Sequence, residues 1–271
     1  MGQTHILRRF VDGVAKVNKI EKGKSTGLNE RKVGTRQLVE QSLIVCNADC
    51  TEKNYFKKAG AWINTQYKVA KGVKQDGVKF EYYCDPVAPM QLPQKIKNKI
   101  KANFGSKVFD IVWVIFDKDA IPTEQFNQAV KDLQKLSNKK TQYKVLWSNI
   151  CFELWFLLHF DYFNVATDAK SYYKKLKEKI DQKYQKEDAN IFDIIVDACD
   201  KLSGGGVPIS EIGKGGVSKE QRQLKIIYQA MQRAKQLIES HKDRGENFAD
   251  CDPCTTVYEF FEHYFDRFGL I

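Results

Sequence analysis

A chain of 271 residues with 42% apolar and 12% aromatic side chains has ample material for a core. That excludes a disordered protein and points to one large domain, or one domain with an elaborate second half. No apolar run approaches the ~20 residues of a membrane span, and Met1-Gly2-Gln3-Thr4-His5 opens no signal peptide, so a cytoplasmic protein is expected. The net charge of +10 is uneven: residues 53–107 hold twelve Lys against Asp76, Glu81 and Asp85, whereas residues 108–271 carry 23 basic and 25 acidic groups. Such a block suggests a surface that faces a polyanion, nucleic acid foremost, although a merely solvated lysine face has the same composition. The seven cysteines are odd in number, and Cys251–Cys254 is the only C-x-x-C, without the second pair a zinc site wants; structural thiols are expected.

In chain order, residues 1–40 are basic and poorly patterned and read as an N-terminal arm. Leu43–Cys46 is a short buried strand, Glu52 to about Lys71 a helix, and Val78–Cys84 a strand closed by Pro86 and Pro89. Gln94–Phe104 is an amphipathic helix. Its stripe of Ile96, Ile100 and Phe104 predicts burial, leaving Lys95, Lys97, Lys99 and Lys101 as the expected nucleic-acid contacts. Val108–Phe116 has the length and Val/Ile/Trp/Phe content of a fully buried strand. A helix from Pro122 to about Leu136, a strand at Lys144–Trp147 and an apolar helix at Cys151–Phe160 follow. Alternating strands and helices imply an α/β core over 41–160 with a mostly parallel sheet covered on both faces. From 161 to 271 helices dominate, over about 168–186, 190–202, 218–240 and 255–268. The glycine-rich stretch 204–216 lacks the Lys-Ser/Thr ending of a P-loop and reads as a flexible loop.

The chemistry concentrates at Asp117-Lys118-Asp119, where the central strand leaves the sheet. Open α/β sheets build their sites at that edge. Two carboxylates two residues apart, carried past the last pleat, are expected to point the same way and hold Mg²⁺ or Mn²⁺; a solvated turn is the plain alternative. Glu153, inside an apolar helix, is costly to bury unless it is paired or metal-bound. His159 reads as a satisfied core histidine or a catalytic one. Thr255 and Thr256 read as an N-cap, with Glu259 placed for a capping box; an exposed helix N-terminus there would also suit phosphate.

Four segments carry a likeness: Leu43–Phe56, Ile115–Asp119, Ser148–Phe160 and Asp252–Tyr258. Together they resemble the RloB/AbiLii-like family of bacterial abortive-infection and antiphage defence proteins, whose core is a Toprim domain. The resemblance implies a Rossmann-like Toprim fold with a helical C-terminal half. It also implies a metal-dependent nuclease serving as toxic effector, and a partner ATPase of ABC/AAA type. One carboxylate after strand one and the Asp-x-Asp after strand three would bind the metal. This chain departs from that pattern: where the family usually has Cys-Glu-Gly, it has Cys46-Asn47-Ala48. Asn47 can be neither a base nor an anionic ligand. Asp49 or Glu52, just downstream, could supply the missing carboxylate. Otherwise the site is degenerate, by nature or by engineering, and the protein is a Toprim-like module that binds nucleic acid or its ATPase partner. A nucleotide-modifying phosphotransferase is a third option. Glu153 matches the family's Phe-Glu-Leu-Trp glutamate, and Lys186 its Tyr-x-Lys lysine, where an ammonium could stabilise charge on a scissile phosphate. The expected set is therefore Asn47, Asp49, Glu52, Asp117, Asp119, Glu153 and Lys186, with the metal on Asp117, Asp119, Asp49 and Glu153.

Overall fold

The apolar runs form the strands of one sheet in the computed structural model, which describes residues 39–47, 51–84, 89–180, 184–202, 218–245 and 247–270. The strands are β1 (Glu40–Cys46), β2 (Val78–Cys84), β3 (Ile111–Asp117), β4 (Gln142–Asn149) and the short β5 (Cys254–Thr255). They lie in the order β2-β1-β3-β4-β5, the first four parallel and β5 antiparallel to β4. The helices are α1 (Thr51–Lys71), α2 (Leu92–Phe104), α3 (Thr123–Gln134), α4 (Glu153–Phe160), α5 (Ala169–Lys179), α6 (Ile191–Leu202), α7 (Lys219–Ser240) and α8 (Tyr258–Phe268). The expected α/β fold with a helical second half is the fold observed.

Both faces of the sheet are covered, which is why Leu43–Cys46 of β1 and Ile111–Phe116 of β3 read as unbroken apolar runs rather than alternating ones. On β3 the alternation of side chains shows which helix covers which face. Trp113 packs edge-on against Phe260 of α8, 5.3 Å between ring centres, while Phe116 meets Phe126 of α3 on the other side. Helix α1 joins α8 through Phe56 and Phe260, and α2 packs beside α3. The chain thus leaves β1 in one direction to reach β2 and returns past β1 to β3. The carboxyl ends of β1 and β3 flank the point where the winding reverses, which is where such sheets open a crevice.

Under the α8 face lies a buried polar network. Tyr264 Oη and Ser42 Oγ donate to Glu40 Oε1 at 3.0 and 2.8 Å, and Trp113 Nε1 donates to Tyr264 Oη at 3.2 Å. Arg267 and His263 each stand 3.4 Å from Glu40 Oε2. Burial alone would raise the Glu40 pKa, but the hydrogen bonds from His263 and Ser42 and the neighbouring cations hold it below the usual value. His263, which carries no readable signal in the sequence, is therefore structural.

Several element ends differ from expectation. Glu40 belongs to β1 rather than to an arm. β3 starts at Ile111, not Val108, because Asp110 is occupied by Gln41, whose N–H donates to its carboxylate at 2.8 Å. The helix expected over 168–186 ends at Lys179. The expected cap at Thr255 and Thr256 is not formed: Thr255 lies in β5, and Thr256 Oγ1 accepts the Trp147 N–H at 2.8 Å. Both threonines are buried, and α8 begins only at Tyr258 without a side-chain cap, so no capping box joins Thr256 to Glu259. The arm at 1–38 and the glycine-rich stretch lie outside the described residues. No described helix is long and apolar enough to cross a membrane.

The Glu40 network sets a pH-dependent contribution to stability. Because the folded pKa is depressed, the contribution is present above the unfolded carboxyl pKa and is lost as pH falls through the folded value. Replacing Glu40 by Gln should cost about 1–3 kcal/mol at pH 7. In urea melts at successively lower pH the gap between variant and parent should shrink toward zero; a constant gap would remove the charge from the explanation.

Candidate active site

The parallel ladder of β1 and β3 places the first two candidates. Cys46 is in register with Ile115, and the Asn47 N–H extends the ladder one step by donating to Ile115 O at 3.1 Å. Asp117 ends β3, two residues beyond that carbonyl. The Phe152 N–H, at the entrance to α4, donates to Asp117 Oδ2 at 3.0 Å, so the positive end of that helix supports the carboxylate. Asp117 Oδ1 is buried and has no hydrogen-bond partner among the described residues. The same holds for Asn47 Oδ1 and for Glu52 Oε2, the latter in the first turn of α1.

Asp119 is placed differently from expectation. The pleat stops at Asp117, and Asp119 sits exposed in the following turn with φ +38°, a conformation that aspartate tolerates better than most residues. The turn is pinned by its own backbone: the Lys118 N–H donates to Ser148 O at 2.8 Å and the Asp119 N–H to Ile150 O at 3.1 Å. Asp117 and Asp119 share an edge because of this turn, not because of strand alternation.

Glu153 opens α4 and is 2% exposed. Tyr184 Oη donates to its Oε1 in a short hydrogen bond, and Lys186 Nζ lies 3.9 Å from the same oxygen. Lys186 Nζ also sits over the Tyr173 ring, 4.4 Å from its centre, and Tyr173 stacks on Tyr184. The segment carrying Tyr184 and Lys186 is fastened to α1: Thr51 Oγ1 donates to Lys186 O and Asn54 Nδ2 to Glu187 O, both at 3.0 Å. These bonds explain why α5 cannot run on to residue 186.

The electrostatics follow from crowding like charges in a desolvated place. Burial is the main reason that the Asp117 pKa stands well above the carboxylate range, and Glu52, Glu153 and Asp119 push it further. Glu52 is raised for the same reasons, burial first and then Glu153 and Asp119, with Lys186 opposing. Asp119, although the residue is exposed in its turn, has a carboxyl desolvated enough by the surrounding protein to raise its pKa against the pull of Lys186 and Lys118. Burial works against the charge of Lys186, but Tyr173 and Glu153 outweigh it and raise its pKa. Asp117, Asp119, Glu52, Glu153 and Lys186 therefore share one field.

Other candidates fall outside it. Asp49 lies outside the described residues. His159 is buried with Nδ1 2.9 Å from Trp155 O, and burial lowers its pKa to about 4, so it is a neutral core histidine. On α2, Ile96 is buried and Ile100 and Phe104 half-buried, while Lys95, Lys97 and Lys101 are exposed and Lys99 is half-buried. That helix covers the α3 face of the sheet, away from α1 and α8. A cavity of about 330 Å³ runs along the β4 edge between Lys144, Trp147, His241 and Glu259, and none of the candidate residues lines it. Sequence reasoning missed Tyr173, the role of Tyr184 as donor to Glu153, and the Phe152 amide. Only the Tyr-x-Lys spacing hinted at any of them.

This edge, with Asp117 closing β3, Glu52 in the first turn of α1 and buried Glu153 opening α4, lies within a stretch that matches a known family over most of the chain. The model of the RloB-like protein family matches residues 42–263. The chain belongs to the RloB-like family. Comparisons with curated proteins and with solved structures each give no match.

The carboxylate cluster makes a prediction about stability. A carboxyl whose folded pKa is raised keeps a proton that the unfolded chain has lost, so without metal its contribution falls as pH rises above the unfolded pKa. Replacing Asp117 by Asn keeps an oxygen for the Phe152 N–H and removes the repelled charge. In EDTA at pH 8 the variant should be more stable than the parent by about 1–3 kcal/mol, and the gain should vanish near pH 4. A variant less stable at both pH values would show that Asp117 is not under repulsion.

Proposed function

We propose that the protein is a divalent-metal-dependent nuclease that cleaves RNA or DNA and acts as the toxic effector of an antiphage abortive-infection system. The observation that carries this reading is the group of three buried oxygens without described partners, on Asn47, Glu52 and Asp117, at the reversal point of the sheet. Hard oxygen donors of this kind suit Mg²⁺ or Mn²⁺. Asp117 and Glu52 would hold the ion, Asn47 would add a neutral oxygen, and Asp119 and Asp49 are the further carboxylates within the same sequence segments. Bound there, the metal supplies charge neutralisation on the phosphate and an activated water.

The chain's own groups do the rest. The Phe152 N–H fixes Asp117 through one oxygen and leaves the other for the ion. Glu153 has Oε1 committed to Tyr184 and Lys186, so it acts as a positioning residue that holds the ammonium in place. Lys186, half exposed and charged, stands ready to stabilise negative charge growing on the scissile phosphate. Because the chain carries no P-loop, an ABC/AAA-like ATPase partner would supply any ATP-driven trigger.

A second reading is favoured by a specific observation. Asn47 is neutral, and among the described residues no three Asp, Glu, His or Cys side chains stand in a metal-holding arrangement. On that reading the chain is a non-catalytic module that binds nucleic acid or its ATPase partner. Incubation with total RNA and plasmid, with and without Mn²⁺, separates the two. The nuclease should degrade one substrate only with metal, and Asp117→Ala/Asp119→Ala should lose about 100-fold or more of that rate. Mn²⁺ should raise the melting temperature of the parent but not of the double variant, and the shift should grow with pH because protons compete for the same oxygens. Should the parent be inert and Asn47→Glu create metal-dependent cleavage, the degenerate module is the correct description.

A further inference from the structure

The charge block at 53–107 draws attention to α2, but the structure connects another basic surface to the carboxylates through Tyr173 and Lys186. Helix α5 spans Ala169–Lys179 and carries Lys170, Lys174, Lys175, Lys177 and Lys179 against one acid, Glu178, with Asp168 as its N-cap. Its buried side is formed by Tyr172 and Leu176, which pack into the core. Positions 170, 173, 174 and 177 are spaced i, i+3, i+4 and i+7, so they form one stripe along the helix. Three of the four are exposed lysines. The fourth, Tyr173, is the ring beneath Lys186 Nζ, and Lys186 in turn pairs with Glu153. The lysine stripe therefore runs through the very side chain that supports the candidate phosphate-stabilising ammonium. No comparable connection joins α2 to the site among the described contacts: its Lys95 is tied to Gln91, and the helix packs on α3.

We infer that α5 is the track along which a single nucleic-acid strand is held, its phosphates lying on Lys170, Lys174 and Lys177, with Lys186 beside the middle of that stripe at Tyr173 and within the field of Asp119. The inference rests on the nuclease reading for what happens beside the track, but not for binding itself. From Lys170 to Lys177 the helix rises about 10 Å, enough for roughly two phosphates of an extended strand in addition to one at Lys186. One lysine per turn beside an aromatic side chain is the composition of sequence-tolerant strand binding, which reads the backbone and not the base edges.

The test uses the full chain in EDTA, so that binding is read without cleavage, with fluorescein-labelled 20-nucleotide single strands of RNA and DNA. Replacing Lys170, Lys174 and Lys177 together by Ala should weaken binding about tenfold or more and flatten the slope of log K against log salt by about two, since each lost phosphate contact removes about 0.7. Arg at all three positions should restore both. The quadruple variant of Lys95, Lys97, Lys99 and Lys101 to Ala should lose less on both measures. Unchanged affinity and slope in the α5 variant, or a larger loss in the α2 variant, would overturn the assignment. If the α5 variant loses binding while the parent shows no Mn²⁺-dependent cleavage, the track stands and the enzymatic reading falls. If the parent cleaves and the α5 variant binds normally, the track falls and the enzyme stands.

Discussion

The structure turns on a repulsion that the fold refuses to relax. Asp117, Glu52 and Glu153 come from three different elements, and burial beside like charges raises the pKa of Asp117 and of Glu52. None can move away. Asp117 is the last residue of a strand hydrogen-bonded on both sides, Glu52 sits in the first turn of a 21-residue helix, and Glu153 opens a helix whose other side is core. The free energy needed to hold them there comes from the aromatic packing behind the sheet, where Tyr55, Phe56, Trp113, Trp155 and Phe260 are fully buried. An edge with mutually repelled acids is one that a cation or a proton relieves, which links the packing to the chemistry proposed for it.

Cationic relief is already built in on one side. Lys186 reaches Glu153 from a segment fastened to α1 by two backbone carbonyls, and Tyr173 and Tyr184 surround it with π faces and a hydroxyl. Glu153 is thereby satisfied, whereas Asp117, Glu52 and Asn47 each keep an oxygen without a described partner. The difference sorts the acids into one that positions and two that remain available. It also gives Asn47 a definite meaning: a neutral oxygen in that trio lowers the repulsion of the site, and under the metal-binding proposal it would weaken the grip on an ion by the same stroke.

How much of this was legible in the chain depends on distance along it. The two central strands were, because a strand covered on both faces must be apolar throughout, and Leu43–Cys46 and Ile111–Phe116 have that texture; β2 and β4 were legible from shorter apolar and aromatic stretches. Asp117 stood out because it closes such a run. β5 did not, since two residues show no period, and Thr255-Thr256 looks the same whether it caps a helix or clamps Trp147. The bonds from Phe152 to Asp117 and from Tyr184 to Glu153 span 35 and 31 residues, and that from His263 to Glu40 spans 223. No local pattern encodes them. The basic stripe on α5 was hidden by averaging, because the acids of 108–271 balance its lysines in any count that ignores which face they occupy.

The clamp between Thr256 and Trp147, and the helix that follows it, have a consequence for how the protein comes into being. The sheet face that α8 covers is laid down when residue 117 is made, yet Phe260 and Tyr264 are translated roughly 150 residues later. At ~5–20 residues per second the ribosome takes roughly 10–30 seconds to cover that interval. Until then Trp113 has neither its edge-on ring partner nor the hydroxyl that its indole N–H binds, and Ser42 and Glu40 lack Tyr264. The aromatic support behind the acid cluster is incomplete for the same interval. A nascent chain of this protein therefore cannot complete the packing behind its edge of repelled acids until α8 has been made.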